Sequence, residues 1–406
     1  MANHRTSKKD ATAAVKAVAD YGSVLQAAKA LGLGRGALEA RLRTAKLLGI
    51  GVQDDAATAP LKQRVKQLES LLKAAAKQTD SMEQVKQVIG TLARQVEEFE
   101  APEWILSEKK FKGSHGVPTL FLSDLHWGEV VKPSQIGYVN KYNLTIAHER
   151  LQRCYESAVH LLKILDPKMN YPGIVIPLGG DMISGNIHDE LATTNEIDSI
   201  PAVLDLYGAL VNVINAALED FGNVFLPCVS GNHGRNTKKI WHKNRNDTSF
   251  DWMLYRFLAK RFEHDKRVQF FIPDGSDASF KIYNTRYLLT HGDKLGSGGD
   301  GLIGALGPIM RGDHKKRSRN AQVGADYDIM MCGHWHQYVH MTKVIVNGSL
   351  KGYDEFAYQL GFGFELPQQA LWITHPAYGP TYRMPVYCEK KPPPKAASWV
   401  SVPEIK

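Results

Sequence analysis

Four cysteines in 406 residues, none of them in a CxxC pair, are too few and too scattered for a disulfide framework or a cysteine-ligated structural zinc. Cys154, Cys228, Cys332 and Cys388 read instead as small buried apolar residues of a reducing compartment. Long hydrophobic runs are also missing. No window approaches the roughly 18 consecutive apolar residues of a membrane span, so no membrane partner is expected. The first thirty residues carry His4, Arg5, Lys8, Lys9 and Lys16 but no apolar core of a leader, so no secretory signal is read and a cytoplasmic, intracellular protein is expected. What is present is ordinary for a soluble globular chain: 43% hydrophobic and 23% charged residues exclude a wholly disordered or collagen-like chain. The length exceeds what one core usually fills, which favours two or more domains. A net charge of +8 favours an anionic partner without identifying one.

Three segments differ in pattern. Over 1–52 the apolar positions Val15, Val18, Val24, Ala27, Ala28, Leu31, Leu38, Leu42 and Leu47 recur at helical spacing and predict three short helices. Ser23 is placed to cap the second, and the Leu31-Gly32-Leu33-Gly34 turn precedes a third that carries Arg35, Arg41 and Arg43. The Ala27-Ala28 pair followed by Leu31-Gly32 resembles the step of a helix-turn-helix, which implies DNA contact through those arginines. A plain three-helix interaction module has the same pattern. Over 60–101 the column Leu61, Leu68, Ala75, Met82, Ile89 and Val96 repeats every seven residues and predicts a helical or coiled-coil linker. Its companion column changes phase around Thr79-Asp80-Ser81, so one helix or a two-helix hairpin fits. That linker would serve a homodimer or another partner, or pack on its own enzyme domain.

From 113 to 406 short apolar runs alternate with helical stretches. Strands are expected over 119–123, 174–176, 224–226, 287–290 and 329–331, and helices over 146–165 and 202–218, which makes an α/β domain. Each expected strand is followed by metal-ligand residue types: Asp124-Leu125-His126, Gly180-Asp181, Gly231-Asn232-His233, His291-Gly292 and Gly333-His334-Trp335-His336. Loops at strand carboxyl ends converge on one crevice in α/β folds, so these blocks can share a site.

In order and content the five blocks resemble the calcineurin-like metallophosphoesterase family, and its DNA-repair nuclease branch in particular. The resemblance covers about 118–350. It implies a two-sheet β-sandwich flanked by helices, preceded here by the small all-α domain and the helical stalk. It also implies two divalent ions, with Asp181 bridging them, Asp124, His126 and His336 completing the first site, and Asn232, His291 and His334 the second. Imidazole and oxygen donors suit Mn, Fe or Zn better than Ca, with Mg also possible; Mn is the first choice. Such a pair, roughly 3.5–4 Å apart, activates hydroxide for in-line attack on a phosphoryl group.

A departing ester oxygen needs a proton, and His233 is the expected donor. The family's carboxylate after this histidine is absent, since Gly234 and Arg235 follow, so Asp189 or Glu190 is expected to orient the ring. Two basic loops, one with Arg235, Lys238 and Lys239 and one with Lys315, Lys316 and Arg317, are expected to meet phosphates beside the scissile bond. Gly296 to Gly301, just upstream of the second, would let it move. These features together favour a metal-dependent DNA nuclease. A phosphatase or phosphodiesterase for small nucleotides or phosphoproteins is the alternative, and a DNA-bound scaffold with a non-catalytic metal site is a second.

Overall fold

The computed structural model describes residues 7–48, 50, 101–106, 116–296 and 306–390. The heptad column from Leu61 to Val96 and most of the Gly296–Gly301 stretch fall outside the described residues. The chain divides into two compact units, Met1–Val85 and Lys86–Lys406.

In the first unit the three expected helices are α1 (Lys8–Tyr21), α2 (Val24–Ala30) and α3 (Arg35–Leu47). Ser23 caps α2 as expected, its hydroxyl accepting the Gln26 N–H at 3.3 Å, and Ser7 does the same for α1 at Asp10. Ala14, Ala17, Ala27, Ala28 and Leu38 form the core, so side chains of one methyl let the helices approach closely.

The second unit is an α/β structure of two packed sheets flanked by helices. Strands β1 (Val117–Phe121), β2 (Ile174–Val175), β3 (Val224–Pro227) and β4 (Val268–Phe271) run parallel, and β10 (Gln368–His375) and β11 (Gly379–Tyr387) extend them in the order β11-β10-β1-β2-β3-β4. The other sheet takes the order β5-β6-β7-β9-β8, from β5 (Asp277–Ile282), β6 (Thr285–Thr290), β7 (Ile329–Cys332), β8 (Val339–His340) and β9 (Val344–Val346). Within it β6, β7 and β9 are parallel.

The two sheets share one core. Phe121, Val175, Phe225 and Trp372 from the first meet Phe280, Tyr287, Leu289 and Met331 from the second. Alternation along β6 and β7 then sends Leu288, Met330 and Cys332 to the opposite face, where they pack with Ile309 and Tyr327. Ile309 belongs to the helix Leu306–Gln322, so both faces of these strands are covered and their sequences read as unbroken apolar runs. Helices α4 (Leu144–Leu165) and α5 (Ser199–Phe221) touch β10, β11 and β3 of the six-stranded sheet. By length and composition α5 would pass for a membrane span. Its Ala202, Val203, Leu206, Leu210, Ile214 and Ala217 are buried inside the unit, as in the core helix of a globular domain.

The second basic segment departs from expectation. Residues 311–319 lie on the helix Leu306–Gln322, here α7, rather than in a loop. Helix α6 (Phe250–Arg261), also not anticipated, follows a 3-10 turn at Asn246–Thr248.

Candidate metal centre

The five motif blocks sit at the carboxyl ends of parallel strands: Asp124 and His126 after β1, Asp181 after β2, Asn232 and His233 after β3, His291 after β6, His334 and His336 after β7. Their donor atoms form three groups, each within 4.8 Å: Asp124, His126 and His336; Asp181, His291 and His334; and His126, Asp181 and His233. Asp181 and His126 each belong to two groups, so the clusters are contiguous.

The backbone is strained where these side chains leave it. Asp124, His126, Asp181, His334 and His336 have φ of 54°, 47°, 51°, 70° and 52°, half of the ten non-glycine residues in the left-handed region among the described residues. A residue with a Cβ pays on the order of 1–2 kcal/mol for that conformation, and Asp and His tolerate it better than branched residues. Such outliers concentrate where the fold holds side chains in a set geometry. The motif glycines have a different reason. A Cβ on Gly231 would lie 2.1 Å from Asp181 Oδ1, and one on Gly333 would lie 2.2 Å from Asp124 Oδ2. The two carboxylates rest directly on bare backbone.

Electrostatics favours cations. His126 Nε2 and His336 Nε2 stand 3.0 Å apart, two ring nitrogens close enough to serve one ion. Burial, with Lys351 second, depresses His126 to about 4, and burial, with His291 second, does the same to His334. Both rings are therefore neutral at physiological pH and carry a free lone pair, the form a metal ion binds. His291 goes the other way: burial opposes its charge, but the Asp181 carboxylate prevails and raises it to about 10. Its Nδ1 faces the Gly179 carbonyl at 2.8 Å while Nε2 reaches Asp181 Oδ2 at 3.0 Å and Asn232 Oδ1 at 3.1 Å. With Nδ1 donating to that carbonyl, Nε2 is the nitrogen turned toward the Asp181 and Asn232 oxygens, and it is the one that would bind an ion on losing its proton. Asp124 and Asp181 resist the cost of burial through His336 and His291 and remain ionised. Two buried carboxylates, an amide oxygen and four imidazoles fit two divalent ions of the Mn, Fe or Zn type.

His233 stands at the edge of the cluster, its ring 4.5 Å from that of His126 and perpendicular to it. Its backbone N–H donates to Asp181 Oδ1 at 2.6 Å, and its Nδ1 faces the Ser184 carbonyl at 2.9 Å. A carbonyl only accepts, so in the neutral ring Nδ1 carries the proton and Nε2 is the lone-pair nitrogen. This corrects the expectation for Asp189 and Glu190: both are exposed on the short helix Asp189–Thr194, and Ser184 orients the ring instead. Burial lowers the His233 pKa against the pull of Asp181.

Three supporting groups escape the motif reading. Asp251, at the start of α6 and fully buried, accepts the N–H groups of Asp181 at 3.0 Å, Met182 at 3.2 Å and Gly231 at 2.9 Å. Burial and the Asp181 charge raise its carboxyl to about 6. Glu129 lies 3.2 Å from His126 Nδ1 and 2.9 Å from Lys351 Nζ, and Lys351 also binds Asp354. Finally, Ser123 Oγ donates to Asp124 Oδ2 at 2.5 Å, and its backbone N–H is held by Gln369 Oε1 at 2.9 Å. Arrangements like these fix ligand orientation and raise metal affinity.

The basic residues divide. Lys238, Lys239 and Lys315 are exposed. Arg235 is turned inward onto the carbonyls of Asn232 and Thr237. Contrary to the sequence expectation for a phosphate contact, Lys316 is buried and bound to both oxygens of Asp277, and Arg317 holds Asp313 and the Tyr327 carbonyl while stacking 4.3 Å from the Tyr327 ring. These two side chains fasten α7 to the sheet. In the first unit Arg35 pairs with Glu39 at 2.9 Å, Arg41 lies 3.6 Å from Asp10, and Arg43 is exposed.

No family model matches the chain, and no curated protein matches it. Among solved structures it is similar to a Vps29 single mutant from Entamoeba histolytica, at 12% identity over 66% of this chain and 99% of that one, with a TM-score of 0.27. A predicted phosphoesterase from Streptococcus pneumoniae is similar at 9% identity over 67% and 99%, with a TM-score of 0.23. The sulfate thiohydrolase SoxB from Thermus thermophilus is similar at 10% identity over 72% and 59%, with a TM-score of 0.30. At such identities and scores these likenesses carry no argument about what this chain does.

Proposed function

We propose that this chain is a two-metal phosphoesterase that cleaves phosphodiester bonds in DNA. The observation that carries the reading is the convergence of Asp124, His126 and His336 with Asp181, His291 and His334 from four strand ends. A pair of divalent ions bound there, Mn by preference, would supply a nucleophile at neutral pH and offset the charge of a phosphoryl group. The chain's own part is to hold and orient. Asp181 stands between the two trios, its Oδ1 fixed by the His233 N–H and its Oδ2 facing His291. His233 presents Nε2 to the reacting group, because Ser184 keeps Nδ1 occupied; a proton taken up at Nε2 from water makes the ring an imidazolium, which gives that proton to the departing oxygen and returns to the neutral form.

The DNA part of the proposal is supported by the +8 net charge, by Arg35 and Arg43 exposed on α3, and by exposed Lys238, Lys239 and Lys315. A second reading, hydrolysis of small nucleotide esters, is favoured by the cavity of about 530 Å³ over the cluster, a size suited to one small ligand. Purified protein with Mn²⁺ decides between them on bis-p-nitrophenyl phosphate, p-nitrophenyl phosphate, and end-labelled single- and double-stranded DNA. A ladder of DNA products and preference for the diester is the expected result. Preference for the monoester would end the nuclease reading, and bound metal without hydrolysis would leave the scaffold.

A further inference from the structure

An aromatic wall stands beside the metal cluster. Tyr353, Phe356 and Phe362 line the same cavity as His126, Asp181 and His336. Phe356 is 66% exposed and Phe362 48%, and their rings meet edge to face at 5.9 Å. Tyr358 and Phe364 continue the patch around Tyr353. Large apolar side chains gathered in solvent at the mouth of a polar site are unusual and point to a ligand.

The wall is anchored to the ligand set. Asp354 accepts the Ala357 N–H at 2.8 Å and pairs with Lys351, Lys351 pairs with Glu129, and Glu129 lies against His126. On the other flank Glu355 accepts the Lys132 N–H at 2.8 Å, and Tyr353 closes the loop by donating to the Phe362 carbonyl at 2.9 Å. A continuous chain of polar contacts therefore runs from a metal ligand to the backbone carrying the two phenylalanines. The carboxylates of the wall are engaged as well, since Glu365 holds the Tyr338 N–H with both oxygens. What remains for a ligand is chiefly ring surface.

We propose that Phe356 and Phe362 are the base-binding wall of this site. A nucleobase next to the phosphoryl group stacks on them, so the substrates are nucleotidyl esters, with little preference among bases because every base offers a flat face. This rests on the phosphoesterase reading and narrows its substrate class. A protein partner is the less favoured occupant, because the rings line the cavity that holds the ligands.

The test compares wild type, the Phe356→Ala/Phe362→Ala double variant, and Phe356→Trp/Phe362→Trp in full-length protein with Mn²⁺. The preference for thymidine 5′-(p-nitrophenyl phosphate) over methyl p-nitrophenyl phosphate, as a ratio of kcat/KM, should fall on the order of tenfold in the alanine variant and be kept by tryptophan. Quenching of etheno-AMP fluorescence should weaken in parallel, and this readout needs no turnover. An unchanged ratio with unchanged quenching overturns the wall. So does an alanine variant that alters only self-association in sedimentation. If wild type hydrolyses neither ester yet quenches etheno-AMP through Phe356 and Phe362, the phosphoesterase reading fails and the base site stands.

Discussion

Asp251 holds the backbone of Asp181: its Oδ2 accepts the Asp181 N–H at 3.0 Å and the Gly231 N–H at 2.9 Å, while Oδ1 takes Met182 at 3.2 Å. One buried carboxylate thus ties the loop after β2 to the loop after β3. Asn at this position has a single acceptor oxygen and turns an NH₂ toward an N–H. Asp251→Asn should weaken Mn²⁺ binding by about 10–100-fold and destabilise the fold by about 1–3 kcal/mol. Titration calorimetry and urea denaturation measure the two effects. Wild-type metal affinity in the variant would show that the loops are held by other contacts.

Asp181→Ala and His334→Ala should each abolish hydrolysis, since the first removes the residue between the trios and the second a ligand of one. Chelation should do the same reversibly to the wild type. Metal content by elemental analysis should fall in both variants, and activity that survives metal loss would refute the two-ion reading.

His233→Ala should retain its metals, because its ring is held by a carbonyl and lies at the margin of the cluster. Turnover should drop by about 10²–10⁴-fold on poor leaving groups. With p-nitrophenyl esters, whose leaving group needs little protonation, the loss should be much smaller. Equal losses on both substrates would contradict proton donation.

His340 sits half-buried on β8 with neither ring nitrogen hydrogen-bonded among the described residues, and its ring stands edge-on to Trp372 at 6.0 Å. Burial, then Arg383, depress it to about 3, against 6.5 in the unfolded chain. Between those values the unfolded state binds more protons, so folding stability is lost as pH falls from about 6.5 toward 3 and is unaffected by this group above 6.5. His340→Leu should flatten that acid limb in denaturant melts at pH 7, 6, 5 and 4. An identical slope in the variant would assign the acid sensitivity to other groups.

Residues 86–406, the second compact unit, should alone keep hydrolysis of a small diester, since every candidate metal ligand lies at or beyond Asp124 and Ile105, buried in that unit's core, is retained. DNA affinity should fall, and in full-length protein Arg35→Ala/Arg43→Ala should flatten the log–log salt dependence by roughly one unit for each phosphate that is no longer neutralised. Fluorescence anisotropy on a short duplex, with a catalytically dead background, reads both. An unchanged slope would make the three-helix unit a protein-binding module.

The strands that carry the ligands are legible in the sequence because they are parallel and covered on both faces, so each appears as a short apolar run ending in a ligand block. β10 and β11 are not, since Gln368, Gln369 and Pro385 interrupt the pattern. Gln369 is fully buried yet polar because its amide serves Ser123 and the Gly348 carbonyl, partners that appear only once the chain has folded. α7 has few apolar positions and many basic ones and so reads as a loop; its Lys316 and Arg317 find their acids on β5 and within the helix itself. Asp251 gives no signal. An Asp in the first turn of a helix is common, and nothing local marks it as the partner of three amides on two other loops.

Each trio draws ligands from both sheets: Asp124 and His126 follow β1 while His336 follows β7, and Asp181 follows β2 while His291 and His334 follow β6 and β7. Neither layer owns a complete coordination sphere. A slip of one sheet past the other by a single residue, about 3.3 Å, would dismantle both spheres together. Ions bound there would act with the aromatic seam of Phe225, Phe280, Tyr287 and Trp372 as two fasteners of the same joint. Mutations that loosen the seam should show up as lost metal long before they show up as lost fold.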